Sequence, residues 1–487
     1  EEDRYRINFK HQSTWFDNLT VRAQADYMSD IEFNKDFFPE TYDRFEQKFT
    51  YFDAEWLNDY VSISLNARPR VNDYYTVVER LPELRFDTTR LNFWDNFSYQ
   101  TKNNFSSLRM AFRRTDQPLP AGVNEPTNYS SNRFDSSHFL YYDYDHNDWL
   151  KIIPRAGVRW THYSDSSRTS LNNNALSNII DSDDPYILPT NPVGAYDKLG
   201  GSRTRFLYEL GLESSFKFYS TKSDVQNAFW NINGLRHIIE PYINWNFIPE
   251  VSTNRDQLYF FDEVDRISRQ NFIRLGFNQR WQTTRQKEIY SFIRFENYFD
   301  VHFDSINRKE GFGDWGSHLE LNPVDSPITF TLDTLTDLAE GRLNAVRFGT
   351  GYTVKGLHAR LSYNLTENYT SRDLYSNGSE LAGRSTSSSF ARTFAHTENV
   401  GLDLTYQFNK RFASSLGGRY DLQRSRFIGY YGEVGYKFQC VTAAVRYENF
   451  NYGTSSDQYQ ITLMLYLNAF PQGKIGSSEI GKHAFQD

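Results

Sequence analysis

The chain has 487 residues, a net charge of −8, one cysteine, and an aromatic content of 17% carried by 40 Phe, 34 Tyr and 9 Trp. That length would hold roughly three soluble domains, but the aromatic excess suits strands and the interfacial girdles of membrane barrels. With no basic stripe, nucleic acid is excluded as a partner. A single cysteine excludes an internal disulfide framework or a cysteine zinc cluster. Mean hydropathy is −0.68, and the longest apolar run, Leu463 to Leu467, is far short of the ~20 residues of a spanning helix.

Taken along the chain, the recurring signal is period-2 alternation. Leu19, Val21, Ala23, Ala25 and Tyr27 alternate with Thr20, Arg22, Gln24 and Asp26. Similar stretches fall at 61–67 and 206–218, and Ile273, Leu275, Phe277 and Trp281 stand opposite Arg274, Gly276, Asn278 and Arg280. Leu357 to Leu365, Val400 to Phe408, 427–438 and 441–447 continue the pattern, and Tyr459, Ile461, Leu463, Leu465 and Leu467 close it. Such segments number roughly 20–22, each about as long as a tilted strand needs to cross a bilayer. Helical periodicity is confined to a weak stretch within 173–181. Tight turns are expected at Lys355-Gly356, Asn409-Lys410 and Gln439-Cys440, and long polar connections at 114–133, 164–204, 248–270 and 366–398. Short turns on one rim and long loops on the other mark an outer-membrane barrel with the long loops outside the cell. The expected fold is all-β: a large antiparallel transmembrane β-barrel of roughly 20–26 strands over residues 1–470, with a C-terminal tail at 471–487. The expected location is the outer membrane of a Gram-negative-type bacterium, with outer-membrane lipid around the barrel.

Motifs for chemistry are weak. Gly311-Phe312-Gly313-Asp314-Trp315-Gly316 fits G-x-G-x-x-G but lacks the strand before it and the helix after it that a dinucleotide site needs. Asp143, Asp145 and Asn147 start like a calcium loop, yet Asp148 replaces the sixth-position Gly and Pro154 the twelfth-position Glu. Asp181, Asp183 and Asp184 read as a solvated loop. No catalytic residue, metal site or cofactor is expected, and the chain is not read as an enzyme.

Several stretches resemble the LptD family of lipopolysaccharide-assembly barrels. They are Val78 to Phe86 with Pro82; His237-Ile238-Ile239-Glu240-Pro241; Tyr259 to Asp262 followed by Asp265-Arg266-Ile267; and Tyr436 to Cys440 leading through Arg446-Tyr447-Glu448 to the last strand. The resemblance implies insertion of lipopolysaccharide into the outer leaflet through a seam between first and last strands. The last strand, 458–467, would then carry Gln458, Tyr459, Gln460, Ile461, Thr462, Leu463, Leu465 and Leu467 on or beside that seam. The implied partners are lipopolysaccharide, an LptE-like plug lipoprotein, an LptA-like periplasmic bridge and the barrel-assembly machinery, with divalent cations shared by lipopolysaccharide as the one cofactor. The resemblance also implies a disulfide from Cys440 to an N-terminal domain. The family's jellyroll is absent, and the opening strand (Tyr5, Ile7, Phe9) matches one inside the family's 26-stranded barrel, so an N-terminally truncated chain is expected. The competing readings are another large outer-membrane transporter or porin-like barrel, or a secreted soluble β-rich binding protein.

Overall fold

The computed structural model describes all residues except 1–2, 17, 31–32, 34–48, 76, 113–127, 167–199, 229, 255–256, 260, 286–287, 306–310, 324–325, 368–396, 451–457 and 468–487. It is an antiparallel β-barrel of 24 strands in one sheet. The first seven are β1 (Arg6–Trp15), β2 (Leu19–Met28), β3 (Tyr51–Leu57), β4 (Val61–Arg68), β5 (Val77–Thr88), β6 (Leu91–Trp94) and β7 (Phe97–Ala111). Next come β8 (Tyr129–Tyr142), β9 (Tyr144–His146), β10 (Leu150–Tyr163), β11 (Arg203–Phe216), β12 (Phe218–Asn227), β13 (Ile232–Ile248), β14 (Gln270–Arg285), β15 (Glu288–Ser305) and β16 (Gly311–Leu321). The remainder are β17 (Ile328–Asp337), β18 (Arg342–Val354), β19 (Leu357–Thr366), β20 (Thr397–Gln407), β21 (Phe412–Asp421), β22 (Arg426–Lys437), β23 (Val441–Phe450) and β24 (Gln458–Leu467).

Three crossings are interrupted: β5 and β6 both pair with β7, β8 and β9 with β10, and β11 and β12 with β13. Two of these breaks have a visible cause. The register sets Pro154 of β10 opposite the end of β8, and Pro241 of β13 opposite Phe216 at the end of β11. A proline has no amide to give to the ladder, so the facing strand loses its pairing there. This is why the single alternating stretch 206–218 emerges as most of β11 and the start of β12.

β11 shows the sidedness. Phe206, Tyr208 and Leu210 are exposed, while Arg205 and Glu209 are buried. A soluble protein would reverse this, but here hydrocarbon lies outside and the polar side chains line the lumen. Several luminal arginines are held by a carboxylate across the ladder. Arg274 makes two bonds to Asp300 at 2.7 and 2.8 Å. Arg159 binds Asp135 at 2.9 and 2.7 Å, Arg6 binds Asp26, and Arg280 binds Glu240 at 2.8 Å. Luminal rings lie flat on glycines of the next strand: a Cβ on Gly276 would stand 2.5 Å from Tyr242 Cζ and 2.6 Å from the Asn297 carbonyl. Gly311 to Gly316 lies within β16 itself, with no phosphate loop.

The connections sort by length. One rim carries 16–18, 58–60, 95–96, 147–149, 228–231, 286–287, 322–327, 355–356, 408–411 and 438–440, none longer than six residues. Lys355 and Gly356 both have positive φ, 37° and 86°, as a two-residue hairpin turn requires. The other rim carries every long connection, including 29–50, 112–128, 164–202, 249–269 and 367–396. The weak helical stretch 173–181, the aspartates at 181, 183 and 184, and the tail at 471–487 lie outside the described residues.

Candidate functional site

The sequence predicts a long polar outer loop at 248–270; the observed connection is 249–269. In the structure it departs from the top of β13 and turns inward, lying along the luminal wall as a strap. Its root is tied to β11: the Phe206 amide donates to Ser252 Oγ and Thr253 Oγ1 donates to the Thr204 carbonyl. Val251 and Ile267 pack with Leu207 and Ile248. Further along, Tyr259 stacks on Tyr129 of β8 at 4.7 Å between ring centroids, and Phe261 packs beside it at 5.3 Å. Leu108 and Met110 of β7 complete this small apolar cluster. From β13 to β7 the strap crosses four inter-strand spacings, roughly 19 Å of wall at ~4.8 Å each.

A buried ionic knot fastens the strap. Its chain turns through a 3-10 helix, Glu263–Arg266, at whose start Asp262 and Asp265 form a reciprocal capping box. Asp265 Oδ2 accepts the amides of Phe261 and Asp262 at 2.7 and 3.0 Å. Period-2 geometry on β8, β10 and β11 aims Arg133, Tyr163 and Arg205 at this turn from the upper ends of three adjacent strands. Arg133 grips Asp262 with both Nη atoms at 2.7 Å and also reaches Asp265 Oδ1 at 2.8 Å. Tyr163 donates to the same Asp265 oxygen at 2.8 Å. Arg205 donates to the carbonyls of Val264, Asp265 and Ile267 at 2.6, 3.4 and 3.5 Å, satisfying the acceptors left at the end of the turn. Arg80 of β5, itself paired with Glu83, lies 3.4 Å from Asp262.

Arg133 is 1% exposed and Asp265 2%. Burial opposes ionisation of Asp262, yet the Arg133 guanidinium, backed by Arg80 and the Val264 amide, holds its carboxyl down at about 2. Asp265 moves the other way: burial pushes its carboxyl up, and the neighbouring Asp262 adds to this against the pull of Arg133. The pair therefore has one carboxylate firmly ionised and one easier to protonate.

Of the residues singled out from sequence, the structure joins Asp262 and Asp265; the Arg266 side chain lies outside the described residues. Pro82 sits where β5 shifts register against β7, and Glu240 and Pro241 belong to the β13 wall, away from the knot. Cys440 is a free, exposed thiol in the 438–440 turn. On β24, Tyr459, Ile461, Leu463 and Leu465 are exposed, Met464 is buried, and Gln460 and Thr462 are half-buried; the side chains of Gln458 and Leu467 lie outside the described residues. Arg133, Tyr163 and Arg205 went unnoticed in the sequence. The only trace they leave there is a large polar residue on the second face of an alternating strand.

No family model matches the sequence, and no curated protein matches it. Solved structures align with it at low similarity; the class that the sidedness itself defines is the large transmembrane β-barrel of an outer membrane. The siderophore receptor PirA from Acinetobacter baumannii aligns over 95% of this chain and 73% of its own, at 7% identity and a TM-score of 0.34. FpvA of P. aeruginosa, bound to a pyoverdine–iron complex, aligns over 95% and 69% at 10% identity and 0.34. The ferric enterobactin receptor PfeA from Pseudomonas aeruginosa, a mutant in complex with enterobactin, aligns over 94% and 72% at 8% identity and 0.33. These findings correct the expected family. The three structures named are siderophore receptors, and no family model or curated protein ties the sequence to LptD or to lipopolysaccharide assembly. The expected lipopolysaccharide, LptE-like and LptA-like partners are withdrawn with it.

Proposed function

We propose that this protein is an outer-membrane transport barrel whose polar lumen is narrowed at its outer mouth by the 249–269 strap. The observation that carries the reading is the buried knot of Arg133 with Asp262 and Asp265. A loop free to wave in solvent needs no buried ion pair, and burying one costs desolvation that must be repaid by geometry. Fixing the strap against the wall leaves a lumen lined by paired arginines and carboxylates, which suits hydrated polar solutes rather than apolar ones. Conductance in planar bilayers tests this. The native protein should open small channels, and deletion of 254–266 should enlarge them; equal conductance in the two would refute the proposal.

A further inference from the structure

The strand β12 is unlike its neighbours. The β10–β11 pairing ends with Leu150 opposite Phe216, just above the 147–149 turn, so Phe218–Asn227 runs on past the short-turn rim. On one side it pairs with β13; on the other, among the described residues, it has no partner strand. Nine of its ten residues are exposed. Ten residues make an open edge of roughly 33 Å at ~3.3 Å each, on the rim whose short turns mark the periplasmic side.

Which backbone groups are open follows from the ladder. Lys217 donates its amide to the Trp149 carbonyl at 2.8 Å, toward β10. The β11 and β12 registers against β13 are continuous across Lys217, so direction alternates without a slip. Tyr219 and Thr221 therefore point their N–H and C=O groups along the Lys217 direction into open space, whereas Phe218, Ser220 and Lys222 serve β13. The slot lies in line with β10 and is capped above by the 147–149 turn.

We propose that this edge is a docking site for an extended segment of a periplasmic protein, which adds as a strand antiparallel to β12 in line with β10. Strand addition takes affinity from main-chain bonds and specificity from alternate side chains. Here the exposed aromatics Phe218 and Tyr219 offer apolar contact at the upper end of the slot. Lys217 and Lys222 against the single Asp224 favour an acidic residue on the incoming strand. Exposed edges are commonly blunted by lysine, proline, a bulge or burial; here Lys222 and the register shift between Lys222 and Gln226 guard the lower half, and Phe218 to Thr221 above them carry none of these.

Photo-crosslinking in cells, from a photoreactive phenylalanine analogue at Ser220, tests the proposal. The expected adduct is one periplasmic protein, cross-linked through a segment whose contacts recur at every second residue. Thr221→Pro removes an edge amide while leaving the β13 ladder intact, and it should cut the adduct roughly fivefold to tenfold, about one to two hydrogen bonds' worth. Lys222→Glu should weaken it as well, with the heat-modifiable migration of the folded barrel unchanged in both. If Thr221→Pro disturbs folding, Tyr219→Pro makes the same test at the other open amide. Adduct yield indifferent to proline, no adduct, or an adduct to lipid or to residues 468–487 of this chain would each overturn the proposal.

Discussion

Replacing Arg133 by alanine removes the one cation, among the described residues, that touches both carboxylates of the knot, Asp262 and Asp265. Asp262 is then left with Arg80 at 3.4 Å and the Val264 amide at 3.0 Å, and Asp265 with Tyr163 and two backbone amides. Deleting one partner of a buried pair costs about 3–5 kcal/mol, because the surviving charge stays buried and uncompensated. The loss falls on the strap rather than on the sheet, since the β8 ladder does not depend on the Arg133 side chain. The open population of the strap should therefore rise by at least about a hundredfold. Amide hydrogen exchange at Phe261 and Asp262 reads this directly, because both amides are bonded to Asp265 in the closed strap. The expected result is faster exchange at these two positions with unchanged protection in β8, β10 and β11. Native-like protection at Phe261 and Asp262 in the variant would show that the knot does not hold the strap.

The same exchange should depend on pH with a definite sign. Asp262 is depressed to about 2 from an ordinary value near 3.9, so its contribution is fully present above about 4 and is lost as pH falls through about 2; Asp265, raised, works in the opposite sense and loses a penalty on protonation. Strap amides should hold their protection from pH 7 down to about 4 and lose it below, and loosening between pH 6 and 5 would contradict the assignment. Gly276→Ala should destabilise the barrel by about 1–3 kcal/mol in urea unfolding from lipid, because the Asn297 carbonyl blocks the new methyl. Gly316→Ala should cost less, since only the Tyr298 ring must swing away. Leu463→Lys, on the exposed outer face of β24, should cost ~2–4 kcal/mol near the midplane, read as lost heat resistance in detergent or lipid. Cys440 in intact cells should resist a membrane-impermeant maleimide and react once the outer membrane is permeabilised; labelling of intact cells would invert the orientation.

The sheet was legible because its signal is local and repeated. Leu19 to Tyr27 and Tyr459 to Leu467 state their two faces within nine residues, and β2 and β24 formed where those patterns lie. Boundaries failed where a distant residue intervened: nothing within 206–218 warns that Pro241 will withhold an amide opposite Phe216. The strap was illegible for a related reason. Residues 249–269 contain a capping box that can be found by eye, Asp262 to Asp265, but a capping box fixes a turn and leaves open what the turn rests against. The partners, Arg133, Tyr163 and Arg205, are 60 to 132 residues distant and become neighbours only when β8, β10 and β11 align.

That asymmetry has a physical source. In a barrel the lipid face is written by one rule, apolar at every second position, because hydrocarbon is uniform. The luminal face answers to water and to whatever enters it, so Arg, Asp, Gly and Tyr all satisfy the alternation equally well. Period-2 reading therefore recovers the wall and is blind to what leans on it. The LptD-like motifs misled at the same point: Asp262, Asp265 and Pro241 are residues that a strap and a strand break need, whichever cargo the barrel admits. What distinguishes one barrel from another is the set of cross-strand partners that clamp its inward loops, and here that set centres on Arg133.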